Sequence, residues 1–462
     1  MRKVVDGLLI LGSASLIYFK RITEAGGGAV TSESISYRSD FVFLLAVLLA
    51  IVVGAPRFLT RGRLVWTQTE VIVFGALASY LMFCVIATLL STVIYNLRFD
   101  LIGFSNFGKH MLASLLCLVT YLRLKDNPKL YKWLAVAFFV PPAVPLVLGA
   151  VYLVSPAMYL ALFEDPSAVH TQVSLLSDAY RFQGLASNPF QMLTSGFVAI
   201  AFVLPMTVRQ AFGRKWRGST IGFLYFIGLV FLIFWTMTRT GLVMLVFAVV
   251  FGSFMALYHL RKDVMRFLVT LVGALLVVGV AWMLMPEDSA QVYLSRFYSR
   301  DVVFGRWEYY TGGRIDIWRY FIEVALDHPL GVGFNFEQKF TIDSSFQERL
   351  NPHSGLLMAW MFGGLGGMLS VLVFMGAVLR LIRIEVKRYR MDPGFLYYVG
   401  AVTGMIGIWI AWQGPTFSEF THAILLAMVL HGTPTTATNP AVGSVTPAVS
   451  PADVSSPRLA GA

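Results

Sequence analysis

Four side chains that could bind an anion or move a proton stand at the edges of apolar runs: Arg181, Arg239, Arg314 and His353. A guanidinium keeps its charge at any biological pH, and an imidazole can take up a proton near neutrality. His353 lies in Asn351-Pro352-His353-Ser354, directly before an apolar run containing Gly363-Gly364-Leu365-Gly366-Gly367. The pattern predicts a helix beginning here, whose N-terminal partial charge disfavours the imidazolium and leaves a base. Arg314 follows Gly312-Gly313 and opens an amphipathic stretch. Ile315, Trp318, Ile322 and Ala325 fall on one helical face, with Asp316, Arg319, Glu323 and Asp327 on the other. An arginine at a helix start opposes the macrodipole, which makes sense if both face one anion. His328-Pro329 ends the stretch, and Gly331-Val332-Gly333 turns the chain ahead of Asn335. Arg239 occupies the short turn Thr238-Arg239-Thr240-Gly241, and Arg181 opens Arg181-Phe182-Gln183-Gly184 ahead of Ser187-Asn188-Pro189. A charge near a bilayer costs a few kcal/mol unless it is wetted or paired, so such residues are functional candidates by default. Each has a plainer alternative: an arginine can snorkel to the interface or pair with an acid, and a histidine can cap a helix without doing chemistry.

The elements that must position these residues are helices in lipid. Of 462 residues, 57% are hydrophobic and only 13% charged, against about 45–50% and 25% in soluble domains. Disorder, a coiled coil and a disulfide-stapled scaffold are excluded. The two cysteines, Cys84 and Cys117, lie in apolar runs and are expected as free, buried thiols. The basic, then apolar, N-terminus lacks a small-residue cleavage site before Lys20, so no signal peptide is expected. A crossing helix needs about 20 apolar residues. Candidate spans fall at 4–19, 41–56, 70–95, 104–122, 132–154, 190–208, 219–236, 241–260, 267–285, 354–379, 395–412 and 417–431. With a cytoplasmic N-terminus, twenty-one of the 36 Lys and Arg fall in inner segments, among them Arg123, Arg214, Arg261 and Arg388, with few acids, among them Asp126, Asp263 and Glu385. The net charge of +11 is thus a topology signal and not a nucleic-acid-binding one. The outer side keeps a loop at 286–353, mixed in charge, and a second from about Ser155 to Pro189. The expected fold is an all-α polytopic membrane protein of about twelve transmembrane helices with one large periplasmic loop, in a 1–432 domain followed by a disordered cytoplasmic tail, 433–462.

These segments together resemble the O-antigen ligase and polysaccharide polymerase family of membrane glycosyltransferases, a GT-C-like architecture. The resemblance rests on Arg314–Trp318, on His328-Pro329-Leu330-Gly331-Val332-Gly333-Phe334-Asn335, and on His353-Ser354 followed by Gly364 and Gly367. The family's ligases show a His, then Asn, Ser or Gln, nine residues, a Gly, two residues, and a small residue or Tyr. The Arg181 segment and Thr238-Arg239-Thr240-Gly241 also look like family segments, so the resemblance covers roughly 180–370 and the topology. Ser354 stands where Asn is commoner, and Phe334 where a small residue is common.

The resemblance implies glycosyl transfer from an undecaprenyl-diphosphate-linked glycan to an acceptor hydroxyl, on a glycan or lipid A core, at the periplasmic face of a bacterial inner membrane. Departure of a diphosphate needs charge stabilisation more than a strong acid, and arginine supplies it bidentately. Arg239 and Arg314, with Arg181, are assigned to the diphosphate and His353 to the acceptor hydroxyl. Gly331, Gly333, Asn335 and Ser354 are supporting residues. Other lipid-linked glycosyltransferases hold a metal with an aspartate pair, whereas the first outer loop here has only scattered Glu24, Glu33 and Asp40. No metal or other cofactor is expected, and membrane lipids are the remaining partner. A ligase, a repeat-unit polymerase using the same chemistry and, less well supported, a transporter are the open readings. The absence of an internal repeat and the asymmetric outer loop disfavour the transporter. The histidine spacing favours the ligase.

Overall fold

A computed structural model describes residues 2–16, 41–52, 66–94, 101–155, 189–212, 216–236, 238–260, 264–283, 300–303, 306–309, 314–335, 354–392 and 394–433. All twelve apolar stretches fall on helices. They are α1 (Arg2–Ser15), α2 (Phe41–Val52), α3 (Gln68–Ile94), α4 (Leu101–Asp126), α5 (Lys129–Phe139), α6 (Ala143–Val154), α7 (Pro189–Phe212), α8 (Trp216–Trp235), α9 (Arg239–Phe247), α10 (Ser253–Leu260) and α11 (Val264–Met283). The loop helix α12 (Arg314–Asp327) follows, and then α13 (Gly355–Tyr389), α14 (Phe395–Trp412) and α15 (Phe420–His431). Among the described residues, seven spans are long and apolar enough to cross a membrane. The expected stretch 132–154 is two helices, because Pro141-Pro142 breaks the backbone ladder between α5 and α6. Between α9 and α10 the helix continues through a π turn, Ala248–Gly252.

The described residues are helical, as expected, apart from one short hairpin. Arg300–Val303 and Arg306–Tyr309, inside the large loop, pair as an antiparallel hairpin with Arg300 opposite Tyr309. The β-branched and aromatic residues Val302, Val303, Trp307 and Tyr309 suit a two-stranded ribbon better than a helix. Elsewhere the outward faces are apolar: Val93, Leu224, Leu276 and Val373 are all more than half exposed. Spread over many helices, such a surface requires lipid around it.

Ends expected on one side of the membrane meet at one end of the bundle. Thr67 and Glu70 form a reciprocal cap at the start of α3, with Thr67 N–H donating to Glu70 Oε2 (2.9 Å) and Glu70 N–H to Thr67 Oγ1 (3.3 Å). Lys125 reaches Glu70 at 3.3 Å and lies over the Tyr121 ring at 4.7 Å. Arg123 grips both oxygens of Asp6, at 2.8 and 3.0 Å, so α1, α3 and α4 are tied together here. Arg390 Nε–H donates to Tyr258 O at 2.6 Å, joining the ends of α10 and α13. Cys84 and Cys117 are buried free thiols, as expected.

Candidate functional site

The site is built on a break in a helix. α13 leaves helical geometry at Gly364, with φ 64° and ψ −163°, a region essentially confined to glycine. The break is sharp. The link between α14 and α15 touches Gly355, whose Cβ, if present, would lie 2.7 Å from Pro415 O. That link also touches Phe374, whose ring centre lies 5.1 Å from that of Phe417. In a straight helix residues 355 and 374 would stand about 28 Å apart, so the segment before Gly364 folds back toward the rest of α13. The expected single span at 354–379 is therefore a short re-entrant helix followed by a crossing one.

Into this break fits the turn after α12. Val332 N–H donates to Met361 O at 2.7 Å, and Leu365 N–H to Pro329 O at 2.9 Å. Two groups that the broken helix would leave unpaired are thus satisfied by the turn. Gly331 (φ 80°) and Gly364 face each other: a Cβ on Gly331 would lie 2.4 Å from Gly364 N, and one on Gly364 would lie 2.4 Å from Leu330 C. Gly333 (φ 70°) is pressed against α3, where a Cβ would meet Thr88 N at 2.3 Å. Thr88 Oγ1 accepts from Phe334 N–H at 2.9 Å while donating to Cys84 O at 2.7 Å. Sequence reading missed Thr88, an ordinary mid-helix threonine with no local signal. Thr88→Val should strand the buried Phe334 N–H, cost about 1–3 kcal/mol and lower the unfolding temperature in detergent, with Thr88→Ser close to wild type. Equal unfolding of the Val and Ser variants would show that the bond holds nothing.

The bulky Phe334 is accommodated. It is buried, its ring 5.5 Å from Phe107, 5.3 Å from His110 and 5.6 Å from Phe362. His110 Nδ1–H donates to Asn106 O at 2.8 Å. Asn335 ends the 3₁₀ turn Gly333–Asn335; its side chain lies outside the described residues.

Ser354 is the N-cap of the re-entrant helix: extended, buried, and accepting from Leu357 N–H at 3.4 Å. His353 precedes it in sequence and, with Arg181, lies outside the described residues. Arg314 and Arg239 are the first residues of α12 and α9, as their sequence contexts implied for Arg314; their side chains are likewise not among those described. α12 buries Phe321 and Ala325, with Trp318 half-buried, while Arg319, Glu323 and Asp327 are exposed as expected. Ile322, expected on the buried face, is 42% exposed, because Phe321 takes that face. Burial holds the Tyr320 phenol above its usual range, so this residue stays neutral.

The α14–α15 link packs against the start of α13. Gln413 adopts a left-handed conformation (φ 51°), and Gly414, with φ 144°, lies beside Gly355 and Leu356. Beneath them Trp409 Nε1–H donates to His422 Nε2 at 2.7 Å, deep in the core. Among the described residues no group of three or more His, Cys, Asp or Glu is arranged to hold a metal ion.

Residues 224–372 match the family model described as O-antigen ligase. The match spans Arg239, Arg314, Gly331, Gly333, Asn335, His353, Ser354 and Gly364, and leaves Arg181 outside it. No curated protein matches the chain.

Proposed function

From the O-antigen ligase family domain carried on residues 224–372 of this multi-pass membrane protein, we propose an inverting, metal-independent glycosyltransferase. It moves a glycan from undecaprenyl diphosphate to an acceptor hydroxyl at the periplasmic face of the bacterial inner membrane, as an O-antigen ligase does in surface polysaccharide biosynthesis. What supports this reading is the set of charged residues that the matched segment contains. The matched segment contains Arg239 and Arg314, each the first residue of a helix, and His353, directly before the Ser354 cap.

The chemistry follows from those positions. A helix start offers free N–H groups and a positive partial charge, so an arginine there doubles an anion site. Arg239 and Arg314, with Arg181, hold the diphosphate and stabilise the charge that grows on it as the glycosidic bond breaks. His353, neutral beside a helix N-terminus, takes the proton of the acceptor hydroxyl as that oxygen attacks the anomeric carbon. Attack opposite the leaving diphosphate inverts that carbon. The Gly331–Gly364 junction and the Ser354 cap hold the re-entrant helix against the turn that follows α12.

Purified protein in nanodiscs, supplied with undecaprenyl-diphosphate-linked glycan and core oligosaccharide, should form the glycosylated acceptor and release undecaprenyl diphosphate, equally in EDTA and in magnesium. Activity lost in EDTA and restored by magnesium or manganese would replace the metal-free mechanism with one using an acidic site. Absence of transfer from any polyprenyl-linked glycan would end the reading altogether.

A further inference from the structure

α3 and α13 pack against each other in opposite directions. Gly363 lies on Cys84 at one end, a Cβ there coming 3.3 Å from its Sγ, and Glu385 stands within electrostatic reach of Glu70 at the other. Between the two helices lies an apolar groove of about 410 Å³. Buried Ala76 and Ser370 form its floor, and Val71, Leu369 and Val373, each more than half exposed, form its rims. Ser370 Oγ–H donates to Gly366 O at 2.8 Å, so this hydroxyl is spent inside its own helix. At the end nearer the break the Phe83 ring packs on Gly366, whose Cβ, if present, would lie 2.6 Å from Phe83 Cε1. A groove so lined takes hydrocarbon and offers a polar ligand little.

The charge beyond the groove identifies what fills it. Along one exposed face of α13, Leu369 and Val373 are followed by Arg380, Arg383 and Lys387, at steps of three, four and seven residues. That face is apolar over its first part and cationic over its second. Among the described residues, none of the three cations has a hydrogen bond, an ion pair or a ring contact. The carboxylates at this end have other partners: Glu70 has Lys125 at 3.3 Å, Asp392 has Thr433 at 3.0 Å and Gly394 N–H at 2.6 Å, and Glu385 interacts with Arg388. Like charges three and four residues apart on a helix repel, and an anion set among them relieves that repulsion. Guanidinium groups grip phosphate oxygens bidentately. A positive-inside bias accounts for the sign of these charges, but not for the groove that leads up to them.

Lengths agree with a phospholipid. From Gly366 to Arg380 is fourteen residues, about 21 Å along the helix. An acyl chain spans one leaflet, about half of the ~30 Å hydrocarbon thickness. A lipid whose phosphate meets Arg380 therefore ends its chain inside the groove, before Phe83 bounds it. A polyprenyl tail, far longer than one leaflet, would overrun that end. We propose that an anionic phospholipid occupies this surface, with its phosphate on Arg380, Arg383 and Lys387 and one acyl chain in the groove between α3 and α13. Such a site is independent of the glycosyl-transfer reading, and it is tested by lipid binding and not by transfer.

Native mass spectrometry of the delipidated full chain in detergent, titrated with dioleoyl phosphatidylglycerol or dioleoyl phosphatidylcholine, reads binding directly. The wild type should hold phosphatidylglycerol about tenfold or more tightly than phosphatidylcholine. The triple variant Arg380→Gln, Arg383→Gln, Lys387→Gln should bind the two alike. Gly75→Leu puts a side chain into the groove where nothing lies within 4 Å of the Cβ, and should weaken phosphatidylglycerol about tenfold with every charge intact. Glycerophosphoglycerol, the headgroup without its chains, should not displace the lipid. The charge variant alters only exposed side chains, so with that competition it serves if Gly75→Leu fails to fold. Equal binding of the two lipids by the wild type overturns the proposal. So does wild-type affinity in Gly75→Leu, which would leave surface charge alone, and so does full displacement by the bare headgroup, which would make this a free-anion site. Displacement by undecaprenyl diphosphate in preference to phosphatidylglycerol would give the groove to a polyprenyl lipid and overturn the proposal as well.

Discussion

His353→Ala is expected to bind the lipid-linked donor normally while transfer falls by about 10²–10⁴-fold, the size of a general-base contribution. The separation of binding from turnover follows from the proposed roles, in which the imidazole meets the acceptor hydroxyl and not the phosphates. Arg314→Ala should do the reverse in kind. It removes a charge-assisted contact of about 1.5–3 kcal/mol and weakens donor binding. Arg314→Lys should recover only part, since a point charge cannot span two phosphate oxygens. Donor binding and single-turnover transfer, measured side by side in nanodiscs, separate the two. A His353→Ala protein that loses donor affinity but keeps its transfer rate would make the histidine a binding residue and refute the mechanism.

Gly364→Ala should be nearly as damaging, for a wholly different reason. The backbone at φ 64° and ψ −163° would cost a non-glycine residue about 1–3 kcal/mol of strain. The new methyl would also stand 2.6 Å from Pro329 O and 2.4 Å from Leu330 C. Both contacts are backbone, so relief requires expelling the turn from the break. That unmakes the Val332–Met361 and Leu365–Pro329 bonds and frees the helix that carries Ser354. Gly376→Ala is the control: it lies in the same helix with nothing within 4 Å of its Cβ, and should be neutral or stabilising by up to about 1 kcal/mol. The measurement is thermal unfolding and transfer for both variants. Wild-type behaviour of Gly364→Ala would mean that the turn does not depend on the break.

Apolar length located helices at the expected stretches, seven of them long and apolar enough to cross a membrane among the described residues, since it reports the solvent around a segment and needs no tertiary information. The start of α12 at Arg314 and its end at His328-Pro329 were also legible, because a glycine pair, a periodic face and a proline are local signals. The break was not. Gly363-Gly364-Leu365-Gly366-Gly367 reads equally as a small-residue packing face, and only the docked turn shows which glycine must leave the helix. Thr88 was invisible for the same reason, as its partner lies on another element. The exposed Ile322 shows the limit of periodicity: two apolar neighbours, Phe321 and Ile322, competed for one face, and contact decided.

The bond from Phe334 to Thr88 spans 246 residues of chain, and that distance orders events at the ribosome. At about 5–20 residues per second, α3 waits roughly 12–50 s before its partner is synthesised. Thr88 passes this interval without exposing a donor to lipid, because its hydroxyl proton is already held by Cys84 O in its own helix. The re-entrant helix emerges later still and can settle only once the turn is there to occupy its break. A nascent or prematurely terminated chain therefore carries the α3 half of this junction without the turn and the broken helix that complete it, and the candidate site is assembled late in biogenesis.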